Sequence, residues 1–292
     1  MDADPHLLSR MNSLILGTRG SDLALVQTRD VAARLRAAHP GLEVAEKIIR
    51  TTGDQRLDVS LSAPGPLDKG LFTKELEDAL LAGTVAAAVH SLKDLPTEQP
   101  PGLMVGAILE RADCADALVS KHEGGWQGLP DGATVATSSL RRKNQILHLR
   151  PDLRIVEIRG NVPTRLRKVL ENPDLDALIV ARAAIDRLGS GIVPGGLHLA
   201  VIEEMLPAPG QGAVGVECRS DDTETLALLA AIHHEPTARC VHAERELLQK
   251  LGGGCHMPLG ARATIENDRV RLLAALFEPD GIRWLSQDLP AQ

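Results

Sequence analysis

The feature that most constrains this chain is a repeated alternation of short apolar runs with stretches of helical periodicity. An apolar run at 14–16 leads into a helical pattern that begins at Ser21 and stops at His39-Pro40-Gly41. The sequence predicts further strands at 44–50, 85–90 and 103–109, with a helix over 71–82 that Gly83 closes. The pattern then restarts, with strands at 134–136, 154–158 and 177–180 and a helix ending near Gly189. Strands alternating with helices predict mixed or parallel sheets covered by helices. After 222 the pattern changes to helices at 223–233 and 237–251. Short strands at 262–265, 269–277 and 282–285 follow, separated by turn residues, and read as an antiparallel meander.

At 292 residues the chain exceeds what one core organises. The expected fold class is α/β: two hinged α/β domains and a small C-terminal α+β domain with an antiparallel sheet. The domain boundaries expected are 11–109 with 208–230 for the first, 110–207 for the second and 231–292 for the third. The Pro/Gly segment 207–212 is the expected hinge, and two connections would permit closure over a ligand.

Thirty-two basic against 39 acidic residues give a net charge of -7, which argues against a nucleic-acid partner. Aromatic residues make up 1% of the chain, with no Tyr, so base-stacking platforms are scarce. The four cysteines, Cys114, Cys218, Cys240 and Cys255, show no C-x-x-C spacing, so no metal site is expected. The N-terminal segment lacks a basic start and an apolar run, and no stretch approaches a membrane span; a cytoplasmic protein is the expectation.

Three segments place arginine where a strand gives way to a helix: Thr18-Arg19-Gly20-Ser21, Ser138-Ser139-Leu140-Arg141-Arg142, and Arg159-Gly160-Asn161 continuing to Thr164-Arg165. A cation in a first helical turn opposes the helix dipole at about 0.3 to 1 kcal/mol. A bound anion reverses that cost, because free N–H groups, hydroxyls and guanidinium forks then converge on it. Guanidinium forks match carboxylates, and no P-loop motif supports a nucleotide. The segment from Val89 to Pro96 sets His90, Ser91, Lys93 and Asp94 at a strand end, with Asp94 the candidate acid. Lys69 and Phe72 follow a Pro/Gly-rich stretch fit for a lid. Cys255 sits on a glycine-rich loop, where a buried structural thiol is the ordinary reading.

In their order, RGSDLAL, KGLFTKELE, VHSLKDLP, TSSLRR, IRGNVPTRL, PGQGAVGVECR and GGGCHMPLG resemble the motifs of the porphobilinogen deaminases from about Leu14 to Gly260. The resemblance implies lobes similar to those of type II periplasmic binding proteins. It implies a transferase that condenses four porphobilinogen molecules head to tail, with loss of ammonia, to the linear tetrapyrrole hydroxymethylbilane of haem biosynthesis. Priming on a dipyrromethane cofactor, held by a thioether to Cys255, is implied with it. So are a catalytic role for Asp94 and cofactor contacts from Lys93, Asp94, Ser139, Arg141 and Arg142. Substrate contacts from Arg19, Ser21, Gln27, Arg159, Arg165 and Arg187, a lid with Lys69 and Phe72, a monomer without metal, and hand-off of product to the next enzyme complete the expectation. His256 stands where the family usually has Gln. A two-lobed carboxylate-binding protein without catalysis is the alternative; it leaves Asp94 and the lone thiol on a glycine loop unexplained.

Overall fold

The computed structural model describes residues 12–55, 72–253, 257–278 and 281–289. Lys69 and Cys255 therefore lie outside the described residues. Two compact units result, the first made of the described residues up to 111 together with 213–238, the second of 112–212 and those from 239 onward.

In the first unit, β1 (Ser13–Thr18), α1 (Asp22–Ala38), β2 (Glu43–Ile48), α2 (Thr52–Gln55), α3 (Lys74–Leu81), β3 (Ala87–Ser91) and β4 (Leu103–Ile108) are joined by β10 (Val214–Arg219) and α7 (Thr223–Ala230). The sheet order is β2-β1-β3-β10-β4, with β1 parallel to β2 and β3, and β10 antiparallel to β3 and β4. α1 forms because Ser21 caps it, accepting from the Ala24 N–H, while Val31, Ala32 and Leu35 recur on one face. It ends where the His39 N–H bonds Leu35 O at 2.9 Å and Pro40 cannot continue the ladder. That face packs with Leu14 and Leu16 of β1 and with Val214 and Val216 of β10. Fully burying a leucine such as Leu35 contributes roughly 1.5 to 3 kcal/mol. The opposite sheet face is covered by Leu76 and Leu80 of α3 against Val85, Ala88 and Leu103.

The second unit holds β5 (Asp116–Ser120), β6 (Thr134–Ala136), α4 (Leu140–Leu149), β7 (Arg154–Val156), α5 (Val162–Glu171), β8 (Ala177–Ala181), α6 (Arg182–Leu188) and β9 (His198–Ile202). Its order, β7-β6-β8-β5-β9, repeats the plan of the first sheet: a parallel trio, then an antiparallel strand, then an outer strand. In both sheets the antiparallel strand, β10 or β5, follows directly on a crossing of the chain from one unit to the other. Two mostly parallel five-stranded sheets, each following strands with helices, make the fold class α/β as expected. Neither β5 nor β9 is among the expected strands; each is an addition made by the structure. At the second crossing Gly212 takes φ +86°, and a Cβ there would stand 2.6 Å from Ala112 O, so only glycine fits.

The C-terminal segment, α8 (Glu235–Lys250) with β11 (Leu259–Glu266), β12 (Arg269–Glu278) and β13 (Gly281–Leu289), forms an antiparallel sheet of order β11-β12-β13. Its core gathers Cys240, Leu259, Ala261, Val270 and Leu272. Asn267 and Asp268 both take positive φ at the tight β11–β12 turn, the conformation such two-residue hairpins need. Buried Glu244 accepts from the N–H groups of Gly210 and Ala263, each at 2.8 Å, tying α8 to the expected hinge segment and to β11. Among the described residues, no helix is long and apolar enough to cross a membrane.

Candidate active site

Because β1 and β3 run parallel, their carboxyl ends lie side by side, and open α/β sheets bind ligands there. A small cleft of about 60 Å³ is lined by Arg19, Ser21, Gln27, Phe72, Thr73, His90, Ser91 and Asp94, with Leu23, Ala24 and Val89. Asp94 closes a single 3-10 turn, Leu92–Asp94, that follows β3, and its side chain is exposed. Lys93 precedes it, half-buried. Gln27, buried within α1, brackets the Ser91 hydroxyl, with Nε2 at 3.0 Å and Oε1 at 3.2 Å. The Arg19 guanidinium lies 4.2 Å from the centre of the Phe72 ring, a cation–π contact joining β1 to the residues before α3. Five of the residues expected at the site, Arg19, Ser21, Gln27, Phe72 and Asp94, thus meet in one cleft of the first unit.

The second unit collects the other two arginine turns. Ser138 joins them, donating to Ile158 O at 2.7 Å and accepting from the Ile158 N–H at 3.2 Å. Ser139 caps α4 and Asn161 caps α5, each accepting from the backbone N–H three residues on. Arg159 and Arg165 are half-exposed, and Arg165 Nε donates to Gly160 O at 2.7 Å. Arg187, on the last turn of α6, donates to Gly212 O at 2.7 Å.

Arg141 and Arg142 depart from the picture of open forks. Both are buried and converge on Asp116, which is 0% exposed. Arg141 Nη1 reaches Asp116 Oδ2 at 2.6 Å and also donates to Leu206 O. Arg142 Nε and Nη2 reach Asp116 Oδ1 at 3.0 and 2.8 Å, while its Nη1 serves Ile179 O. Gln211 Nε2 completes the set at 2.8 Å from Oδ1. Burial alone would raise the Asp116 carboxyl, but the two guanidiniums beside it outweigh that and hold it well below the usual carboxylate range. Burial lowers the Arg141 guanidinium from its ordinary value. Two guanidiniums against one carboxylate leave a buried excess of one positive charge. Asp116, which no quoted motif contains, and Gln211, which lies within PGQGAVGVECR, complete this buried cluster; the lone carboxylate in the apolar run Ala115–Val119 was its visible signal.

The fold and these residues define a class: an α/β protein with arginine-bearing turns where strands give way to helices and, in its first unit, an exposed acid at a strand end. Sequence comparison makes this particular. The chain belongs to the porphobilinogen deaminase family: residues 14–227 match the model described as porphobilinogen deaminase, dipyromethane cofactor binding domain, and 238–288 match the porphobilinogen deaminase C-terminal domain. It is 46% identical over 280 residues to a porphobilinogen deaminase of Chloroherpeton thalassium, covering 95% of this chain and 87% of that one. It is 48% identical over 273 residues to one of Pelotomaculum thermopropionicum, covering 92% and 84%. A third, of Rubrobacter xylanophilus, is 49% identical over 271 residues, covering 92% and 85%. Membership of this family does not favour the reading as a carboxylate binder without catalysis.

Proposed function

We propose that the protein joins four porphobilinogen molecules head to tail, releasing ammonia at each bond, to give hydroxymethylbilane, and that it works on a dipyrromethane held in thioether linkage by Cys255. The observation that carries this reading is the meeting of Asp94 with Arg19, Ser21 and Gln27 in one cleft at the carboxyl ends of β1 and β3. Porphobilinogen carries two carboxylates and an aminomethyl carbon that becomes cationic as ammonia departs. A site for it must hold anions and steady a cation, and this cleft contains groups of both kinds.

Asp94 supplies the negative charge that faces the developing cation, an electrostatic contribution already in place before the reaction. Arg19 and Ser21 in the first unit, with Gln27 positioning the Ser91 hydroxyl, take substrate carboxylates. In the second unit Arg159, Arg165 and Arg187 do the same, each charge-assisted hydrogen bond contributing about 1.5 to 3 kcal/mol. The donor set around Arg141 and Arg142 suits the dipyrromethane: its single excess positive charge is balanced by one ligand carboxylate, with Ser139 at the α4 N-terminus and Lys93 and Asp94 as its further partners. When bound, that group supplies the free pyrrole carbon from which the chain grows. Phe72, with Lys69, covers the bound substrate.

Incubating the purified protein with porphobilinogen tests the reading. Ammonia and hydroxymethylbilane form, and Asp94→Asn lowers turnover by about 10² to 10⁴-fold while bound pyrroles remain. Turnover close to wild type in Asp94→Asn removes Asp94 from its role.

A further inference from the structure

Behind the Asp94 cleft the first sheet buries three ionisable side chains together. Glu217 on β10 stands opposite Ala88, and His90 on β3 opposite Gly215, so the two are diagonal neighbours on one sheet face. His90 Nε2 lies 3.2 Å from Glu217 Oε2, with 4% and 0% of the two side chains exposed. The contact is not aligned as a hydrogen bond, and neither Glu217 oxygen has another donor among the described residues. Glu77 comes from α3, which packs on this face, and its carboxyl is pushed up, first by burial and then by Glu217. The other charged groups nearby are committed elsewhere or lie in solvent. Arg219, two residues beyond Glu217, serves Leu80 O, Val85 O and Asp222. Glu75 holds Thr52, while Lys74 and Asp78 are exposed.

An apolar pair would pack at this position without the cost of desolvating charge. Ionisable groups retained against that cost, at the wall of a cleft, are expected where protons move. His90 lines that cleft together with Ser91 and Asp94.

We propose that His90 is a second acid–base group of the cleft and that Glu217 is its positioning residue; this rests on the condensation proposed above. When the carbon–nitrogen bond breaks, its electron pair and one proton from the imidazole leave as ammonia. The pyrrole's π electrons then form the carbon–carbon bond, and the proton lost from that ring carbon returns to His90. One proton is lent and recovered per bond, and Glu217 holds the ring and compensates its charge while it carries that proton. Asp94 faces the cation and steadies it.

The test uses the holoenzyme with porphobilinogen. Glu217→Gln, which keeps shape and removes charge, lowers kcat by about tenfold or more and changes the shape of its pH profile, with KM and the covalently bound pyrrole mass unchanged. The double variant His90→Asn/Glu217→Gln is no slower than His90→Asn alone, as expected of residues that act as one unit. Wild-type kcat and pH profile in folded Glu217→Gln, or losses that multiply in the double variant, overturn the proposal and leave the condensation reading intact. Absence of both bound pyrroles and ammonia release in the wild type overturns that reading instead. If Glu217→Gln does not fold, imidazole nitrogen resonances of the wild type decide. The His90 signal, assigned by its loss in His90→Asn, shifts when porphobilinogen is added; a signal indifferent to substrate overturns the proposal.

Discussion

Asp116→Asn isolates the buried charge cluster of the second unit, because it preserves volume while removing the one carboxylate that Arg141 and Arg142 share. In the native protein Asp116 is wholly buried and accepts from Arg141 at 2.6 Å, Arg142 at 2.8 and 3.0 Å, and Gln211 at 2.8 Å. Removing one partner of a buried ion pair costs about 3 to 5 kcal/mol, since the remaining charge stays desolvated. At about 2 to 4 °C per kcal/mol for a unit of this size, the melting midpoint falls by about 6 to 20 °C. Thermal and urea melts at pH 7 measure the loss directly. The pH dependence gives a second check. The Asp116 carboxyl is held below its unfolded value, so its contribution is complete above about pH 4 and is lost as the pH falls further. The gap between wild type and Asp116→Asn therefore narrows on acidification. A loss under about 1 kcal/mol at pH 7, or a gap that does not narrow, refutes the charge-cluster account.

Two further predictions address the arginine turns and the thiols. Arg165→Leu removes one charge-assisted contact from a half-exposed position, so kcat/KM for porphobilinogen falls about 10- to 150-fold while the melting midpoint barely moves. Steady-state kinetics beside a melt separates the two. Cys114, Cys218 and Cys240 are buried, and burial foremost pushes the Cys218 thiol up to about 11; native protein at pH 8 therefore shows no fast-reacting thiol from these positions, whereas denaturation exposes them.

The parallel strands were legible because each is an apolar run followed by a capped amphipathic helix. Ser21 before Ala24, Val31 and Leu35 announces both where α1 begins and which face it buries. β5 and β9 carried no such signal. Each has five residues and antiparallel neighbours, and no helix of its own follows β9. Of the expected helix over 71–82, α3 takes up Lys74–Leu81, and Phe72 and Thr73 form a turn before it. At the site, motif order located Asp94, Arg19 and Ser21, but it treated all the arginines alike. Only the fold separates Arg159 and Arg165, half-exposed, from Arg141 and Arg142, which are committed to a carboxylate 25 or more residues away in sequence. Pairings of that span leave no local periodicity to read. The same holds for Glu217 and His90, neighbours only because β10 inserts beside β3.

Intact-protein mass spectrometry of the purified chain tests the central claim most directly, since the proposed chemistry needs a pyrrole pair attached before any substrate is added. The account predicts a mass above that of the 292-residue sequence by two linked pyrroles, and no excess in Cys255→Ser. Active enzyme at the bare sequence mass, with Cys255 freely reactive, would contradict it.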